Sequence, residues 1–424
     1  MSSRDSSQRY RPVAVQMLWV VYFLDFIYSG VLRGFLPTLV SNGLYFMRAV
    51  VVVLLLVIFL QSGKLLSTFS RFFVFLSFLL TGFQLILFIN NQVSLLSFIY
   101  GIYLYVVPLL GIVIAEGMDV KHILSQYYSI LRIALPLNFL VSILQTVFKF
   151  APLYSAGFGA GLYSSGGIQR ATGTFSSSVG LSLFISLAFI LLISVHLLKI
   201  RIVPLYIWLL VFFLVLISGS RTTFLNFGLL LLGTFMLRNL RKNFYTNKLF
   251  SRIFWVLFFL VSVTFPFLIN VYSAGINRFK NGNEINPPLQ RLLQQISLDG
   301  YQADFFGEGL GTRALGSIID PDQRILFANW IEFDNARILV EAGVFFFVLI
   351  WIAKILYVFR LVTERNRLPL NERTVINIGL IGLCPYLLFA QIFGQGTLSS
   401  GVFLLMYVLL SLTSLGSSAS DHDY

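Results

Sequence analysis

The chain is expected to be an all-α polytopic membrane protein of about twelve transmembrane helices with a large extracytoplasmic loop. Composition is the first reason: 424 residues are 57% hydrophobic and only 11% charged, against about 25% charged in a soluble domain. The second is run length. Apolar stretches long enough to cross a bilayer recur near 13–33, 44–62, 71–89, 94–115, 124–148, 175–198, 202–218, 221–237, 252–273, 336–359, 374–393 and 398–415. The third is charge asymmetry. With the N-terminus inside, the short inner segments hold 17 Lys and Arg against 5 on the short outer ones, as cytoplasmic loops should.

The elements follow in order. Residues 1–12 are polar and basic (Arg4, Arg9, Arg11), and the apolar run behind them is too long for a cleavable signal core. The N-terminus is therefore expected to stay attached and cytoplasmic, with the C-terminus on the same side. The whole of 1–424 reads as one integral membrane domain. The runs at 202–218 and 221–237 are short enough to form a re-entrant hairpin, and either arrangement leaves their flanks on one side. Six of the remaining basic residues lie between Arg278 and Arg337, around a loop too long to obey the orientation rule. The net charge of +13 is absorbed by topogenic loops and suits anionic lipid headgroups, so it gives no reason to expect nucleic acid. A single Cys384 rules out an intramolecular disulfide and a thiolate metal site.

Two outer segments are long enough to build a site. The first, 151–174, carries Gly157, Gly159, Gly161, Gly166, Gly167 and Gly173. The second, 274–335, is expected to be partly helical: Leu289, Leu292, Leu293 and Ile296 share one face after Pro287-Pro288, an amphipathic pattern. A second such helix is read at 320–330. Gly307-Glu308-Gly309-Leu310-Gly311 lacks a preceding strand and the phosphate-loop lysine, so it is no nucleotide loop; its glycines suit a tight turn against substrate or membrane.

Arg221 closes Ser218-Gly219-Ser220-Arg221 between two apolar runs whose basic flanks, Lys199 and Arg201, then Arg238, Arg241 and Lys242, lie at their far ends. That assigns Arg221 to the outer rim. A cation beside hydrocarbon is costly and is by default a functional candidate, here for an anionic lipid-linked substrate. Arg170, Arg313 and Arg337 are the other outer arginines of interest, since the planar guanidinium suits bidentate phosphate binding. The three histidines, His122, His196 and His422, all fall on inner segments or the tail. Any outer general base must then be a carboxylate: Asp299, Asp304, Glu308, Asp320, Asp322, Glu332, Asp334 or Glu341. Asp334 precedes a span, where N-cap and base are both open to it. Asp25, Arg132 and Lys354 fall inside spans, where ion pairing or snorkelling is expected.

Three stretches together resemble the O-antigen polymerase and ligase family of bacterial envelope glycan enzymes: Ser218-Gly219-Ser220-Arg221, Phe306 to Thr312, and Asp334-Asn335 followed by Leu339, Glu341 and Gly343. Arg170 to Phe175 also matches the family's habit of a glycine-threonine-phenylalanine run before a helix. The resemblance implies a metal-independent, cofactor-free glycosyltransferase of the GT-C type in the bacterial cytoplasmic membrane. It would use undecaprenyl-diphosphate-linked oligosaccharides at the outer face, with a chain-length regulator protein as a possible partner. Arg221 and Asp334 would be catalytic, and Arg170, Arg313, Arg337 and Asn335 would bind diphosphate or glycan. Family ligases place a histidine where Asp334 stands, which favours a polymerase of surface polysaccharide over a ligase. A lipid-linked oligosaccharide flippase or transporter is the alternative from another class.

Overall fold

A computed structural model describes residues 12–36, 38–61, 66–90, 92–116, 120–148, 164–165, 168–169, 171–175, 178–218, 221–239, 304–313, 334–389 and 396–417. The expected span at 252–273 and the amphipathic helix at 289–296 lie outside these residues, as does the helix read at 320–330. The described residues are almost wholly helical, as a chain in lipid must be when no water is present to satisfy its backbone. Among the described residues six helices are long and apolar enough to cross a membrane, Val13–Leu32, Thr68–Ile89, Ser97–Ala115, Val120–Thr146, Gly180–Leu197 and Asn335–Arg365, beside four shorter apolar ones. Large apolar side chains such as Phe75, Phe78, Ile86 and Ile89 are exposed along α3 (Thr68–Ile89), the surface of a helix meant for lipid rather than water.

The chain divides into two units. The first comprises Met1–Phe26, Asn42–Ile123 and Gln294–Tyr424; the second comprises Ile27–Ser41 and Leu124–Leu293. Helix α1 (Pro12–Phe35) contributes its first half to one and its second half to the other.

The first unit also holds most of α2 (Thr38–Gln61), α3, α4 (Leu95–Gly101), α5 (Val107–Ala115), α10 (Asp334–Arg365), α11 (Leu370–Phe389) and α12 (Gly396–Ser417). Between α4 and α5 the residues Ile102–Val106 wind as a π-turn, with Val107 N–H bonded to Ile102 O. Pro108 is the cause: it has no N–H to offer a preceding carbonyl, and a wider turn absorbs the deficit. The Pro108 carbonyl accepts from Tyr407 of α12 at 2.8 Å, and Gly111, one turn on, leaves room for that ring. At the end of the unit remote from residues 304–313, Glu116 accepts from Ser67 at 2.7 Å and Ser70 at 2.5 Å and pairs with Arg360 at 3.3 Å. Within the spans, Asp25 pairs with Arg48 at 2.6 Å, both nearly fully buried, which is the pairing expected for an intramembrane carboxylate. Lys354 lies over the Trp351 ring at 4.7 Å, and Arg132 is exposed.

The second unit holds most of α6 (Val120–Thr146), a two-residue antiparallel pair β1 (Ser164–Ser165) and β2 (Ile168–Gln169), α7 (Ser178–Leu197), α8 (Leu205–Ser218) and α9 (Arg221–Asn239). Helix α7 is its core. Phe189 meets Trp208 of α8 and Phe227 of α9, with ring centroids 5.8 and 5.1 Å apart.

Candidate functional site

Glycine at 307 and 343 decides the geometry of the first unit's loop. Helix α10 breaks at Gly343, whose φ is 76° and ψ 174°. An unbroken helix would pair Val344 N–H with Val340 O and Phe345 N–H with Glu341 O. Instead, residues 304–309 are spliced into the gap. Glu308 N–H donates to Val340 O at 2.9 Å and Gly309 N–H to Glu341 O at 2.8 Å. On the other side, Val344 and Phe345 N–H donate to Asp304 O and Phe305 O, each at 3.2 Å. The four backbone groups of these two rungs are thus taken up by the loop. Gly343 and Gly307 face one another so closely that a Cβ on either would collide with the other's amide nitrogen, and both have positive φ. Gly307 and Gly311 therefore serve close approach to the protein's own backbone, and Gly309 close approach to the Val93 side chain. This corrects the expectation of a turn made against substrate or membrane.

Beyond the splice the loop is held by two buried side chains. Gln84 of α3 accepts from Leu310 N–H at 2.8 Å and donates to Leu310 O at 2.9 Å, reading that residue as a strand partner would. Glu341, fully buried, accepts from Arg313 N–H at 2.6 Å on one oxygen and from the Tyr105 hydroxyl at 2.5 Å on the other. Gly311 N–H also donates to this carboxylate. Arg337 is fully buried one helical turn before Glu341, its Nε 4.0 Å from Oε2. A buried carboxylate is tolerable only when charge-paired and hydrogen-bonded, and Glu341 has both. Arg337, expected as a substrate ligand, is fully buried beside it. Asn335 lies nearby on α10 and is nearly buried.

Arg313 differs from Arg337 in its exposure. Its guanidinium engages Glu308 through Nε at 2.7 Å and Nη2 at 2.9 Å, with the two side chains 18% and 44% exposed. Phe305, Phe306 and Phe345 form an exposed aromatic cluster beside it, with centroids 4.8 to 6.2 Å apart.

The second unit repeats the device on a smaller scale. Thr174 accepts Val31 N–H on its carbonyl at 2.9 Å and donates its hydroxyl to Ile27 O at 2.6 Å. Those are the two groups that one rung of α1 would pair. Gln145 of α6 accepts from Thr172 and Gly173 N–H at 3.0 and 2.9 Å. Its amide nitrogen donates to Thr172 Oγ1 and Gly173 O, both at 3.0 Å. Asn138 accepts from Thr174 N–H at 2.9 Å. Gly173 has φ 57°, packed against Asn138.

In this unit α9 begins at Arg221, and the hydroxyls of Ser182 and Thr223 bond to each other, fastening the start of α9 to the start of α7. Asp334 opens α10, two residues earlier than the span expected from hydropathy. The side chains of Arg221 and Asp334, and all of Arg170, lie outside what the structure describes. Gln84, Tyr105, Asn138 and Gln145 were not anticipated. The only advance signal was a lone amide in an apolar run, which must face the protein interior; Tyr105 had none. Among the described residues no cluster of His, Cys, Asp and Glu is suited to a metal ion. No family model, curated protein or solved structure matches the chain.

Proposed function

We propose that the chain is a polysaccharide polymerase of the bacterial cytoplasmic membrane. It would join undecaprenyl-diphosphate-linked repeat units at the outer face, within a GT-C-like fold of about twelve spans. The observation that carries this reading is the interlock of Phe306–Thr312 with Asp334–Gly343. Two of the stretches on which the family resemblance stands form one rigid object, with an arginine fork on its exposed side.

In the reaction, the terminal hydroxyl of one lipid-linked unit attacks the anomeric carbon of another. The bond from that carbon to the diphosphate oxygen breaks, undecaprenyl diphosphate leaves with the electron pair, and the hydroxyl proton passes to a base. Negative charge gathers on the departing diphosphate, where preorganised cations lower the barrier most. Arg221 takes that role first, with Arg170 or Arg313 as helpers. Asn335 orients glycan, and Asp334 receives the proton, a contribution of about 10²–10⁴-fold. The leaving group is already good, so Arg221 outweighs Asp334.

The test is deletion of the gene followed by gel analysis of surface glycan. Single repeat units should persist while the ladder disappears, and a ladder that survives would end the proposal. Transfer onto a non-polyprenyl acceptor would point to a ligase. In the complemented strain, Arg221→Ala at normal expression should lower chain growth about 10²–10³-fold. Arg221→Lys should also be impaired, because a point charge lacks the bidentate fork.

A further inference from the structure

Arg313 and Glu308 sit five residues apart on a loop whose backbone is pinned at Val340, Glu341 and Leu310. Arg313's own amide is anchored on Glu341 at 2.6 Å, so its side chain springs from a fixed base. The guanidinium presents Nε and Nη2 to a carboxylate that meets it side-on at 2.7 and 2.9 Å. The same edge accepts two phosphate oxygens in the same geometry. Glu341 and Arg337, by contrast, are shut away from solvent, and Glu341 is committed to the loop through the Arg313 amide.

We propose that Glu308 is a resident stand-in for the phosphate of the substrate. It holds the Arg313 fork in binding geometry when the site is empty and yields it when a phosphate or diphosphate anion arrives. This rests on the reading above that the loop end receives a diphosphate-linked glycan. The exchange is easy because the pair is partly exposed. Such pairs are worth little, so displacing Glu308 costs at most about a factor of five in affinity. A multiply charged diphosphate gains more from the same fork than a single carboxylate does. Glu308 thus keeps an exposed arginine from collecting adventitious anions while setting the substrate's affinity below its limit. Asp304, exposed on the same loop, adds negative charge without touching the fork.

The test titrates inorganic diphosphate into the full chain in phosphatidylcholine nanodiscs by calorimetry. Glu308→Gln should bind more tightly than the parent, by up to about fivefold, and Arg313→Gln about tenfold more weakly or not at all. The double variant should behave as Arg313→Gln, and Asp304→Asn should change affinity less than twofold by screened field alone. Arg313→Lys, which keeps the charge and the anchored amide, should bind less tightly than the parent and serves if Arg313→Gln misfolds. Equal gains from Asp304→Asn and Glu308→Gln would overturn the proposal, as would a double variant that keeps the Glu308→Gln gain. Phosphatidylglycerol discs separate the sources. Competition that needs Arg313 assigns the anion to a lipid headgroup, and unchanged diphosphate affinity assigns it to a carried diphosphate. Because no chain growth is measured, a failed polymerase assay leaves this result standing, and a failed titration leaves the polymerase assay standing.

Discussion

The segments at Thr172–Phe175 and Asp304–Arg313 are both spliced into a helix, but they are held by different chemistry. The shorter one occupies a single rung of α1 and is read by neutral amides, Gln145 and Asn138. The longer one fills two rungs of α10 and depends on a buried carboxylate with an arginine beside it. An amide carries donor and acceptor together, so it can satisfy a backbone strand without any counter-charge. A carboxylate accepts only, and burying it requires positive charge and hydrogen bonds nearby. The neutral clamp is the less costly way to hold irregular backbone where water is scarce. The charged clamp is found where the loop also carries the Arg313–Glu308 fork.

The sharpest way to break the comparison is at the glycines. Gly343→Ala adds a Cβ that meets backbone of Gly307, Phe305 and Phe306, none of which can swing aside, at φ +76°. Overlap on rigid backbone comes on top of the left-handed penalty of about 1–2 kcal/mol, so no folded protein should be recovered by size-exclusion chromatography. Gly173→Ala meets the end of the Asn138 side chain first, at φ +57°, and should give a folded but less heat-stable protein. Gly82→Ala, in open space, should be silent. Equal recovery of the Gly343 and Gly173 variants would mean that the two splices are alike in rigidity after all.

Charge separates them next. Glu341→Leu leaves Arg337 buried without its carboxylate, and strips acceptors from Tyr105 and the Arg313 amide. Breaking a buried pair in this way typically costs about 3–5 kcal/mol. Glu341→Gln keeps an acceptor for the loop and should lose less. Gln145→Leu orphans both N–H groups it receives and both oxygens it serves, whereas Gln84→Leu orphans the Leu310 amide and carbonyl. At about 1–3 kcal/mol for a buried group left unmet, Gln145→Leu should be the more damaging of the two. Chemical unfolding in mixed micelles would rank all four variants, and a milder Gln145→Leu than Gln84→Leu would reverse the assignment.

How much of this was legible beforehand differs between scaffold and site. Hydropathy located the described helices within a few residues, because each must hide its own backbone from lipid. The buried pairing of Asp25 was likewise predictable, since an intramembrane carboxylate needs a partner, though nothing singled out Arg48 as that partner. Gly307, Gly309, Gly311, Glu341 and Gly343 stood out as a pattern but not as a joint. Whether a glycine faces substrate or backbone depends on what packs opposite, and periodicity carries no such information. Gln84 and Gln145 were invisible for a related reason. One amide in an apolar run announces that it faces inward, but its partner is chosen by tertiary packing, in these two cases 226 and 27 residues away.

The finest distinction lies within the shorter splice, between main chain and hydroxyl. The Thr174 hydroxyl stands 2.6 Å from Ile27 O and 3.0 Å from Asn138 Oδ1, yet it has one proton to give. Asn138 Nδ2 donates to Ala134 O at 3.0 Å, which fixes the amide's orientation, and Oδ1 already receives Thr174 N–H. The proton therefore belongs to Ile27 O. Thr174→Val keeps the side chain's shape but leaves that carbonyl unmet, for a loss of about 1–2 kcal/mol, while Thr174→Ser should be nearly silent. The bond from Val31 N–H to Thr174 O is main chain to main chain and survives both changes. Hydrogen exchange at Val31 should consequently stay as slow in Thr174→Val as in the parent even though overall stability falls. Faster exchange there would show that the hydroxyl, rather than the amide clamp of Gln145 and Asn138, keeps this rung of α1 open for the loop.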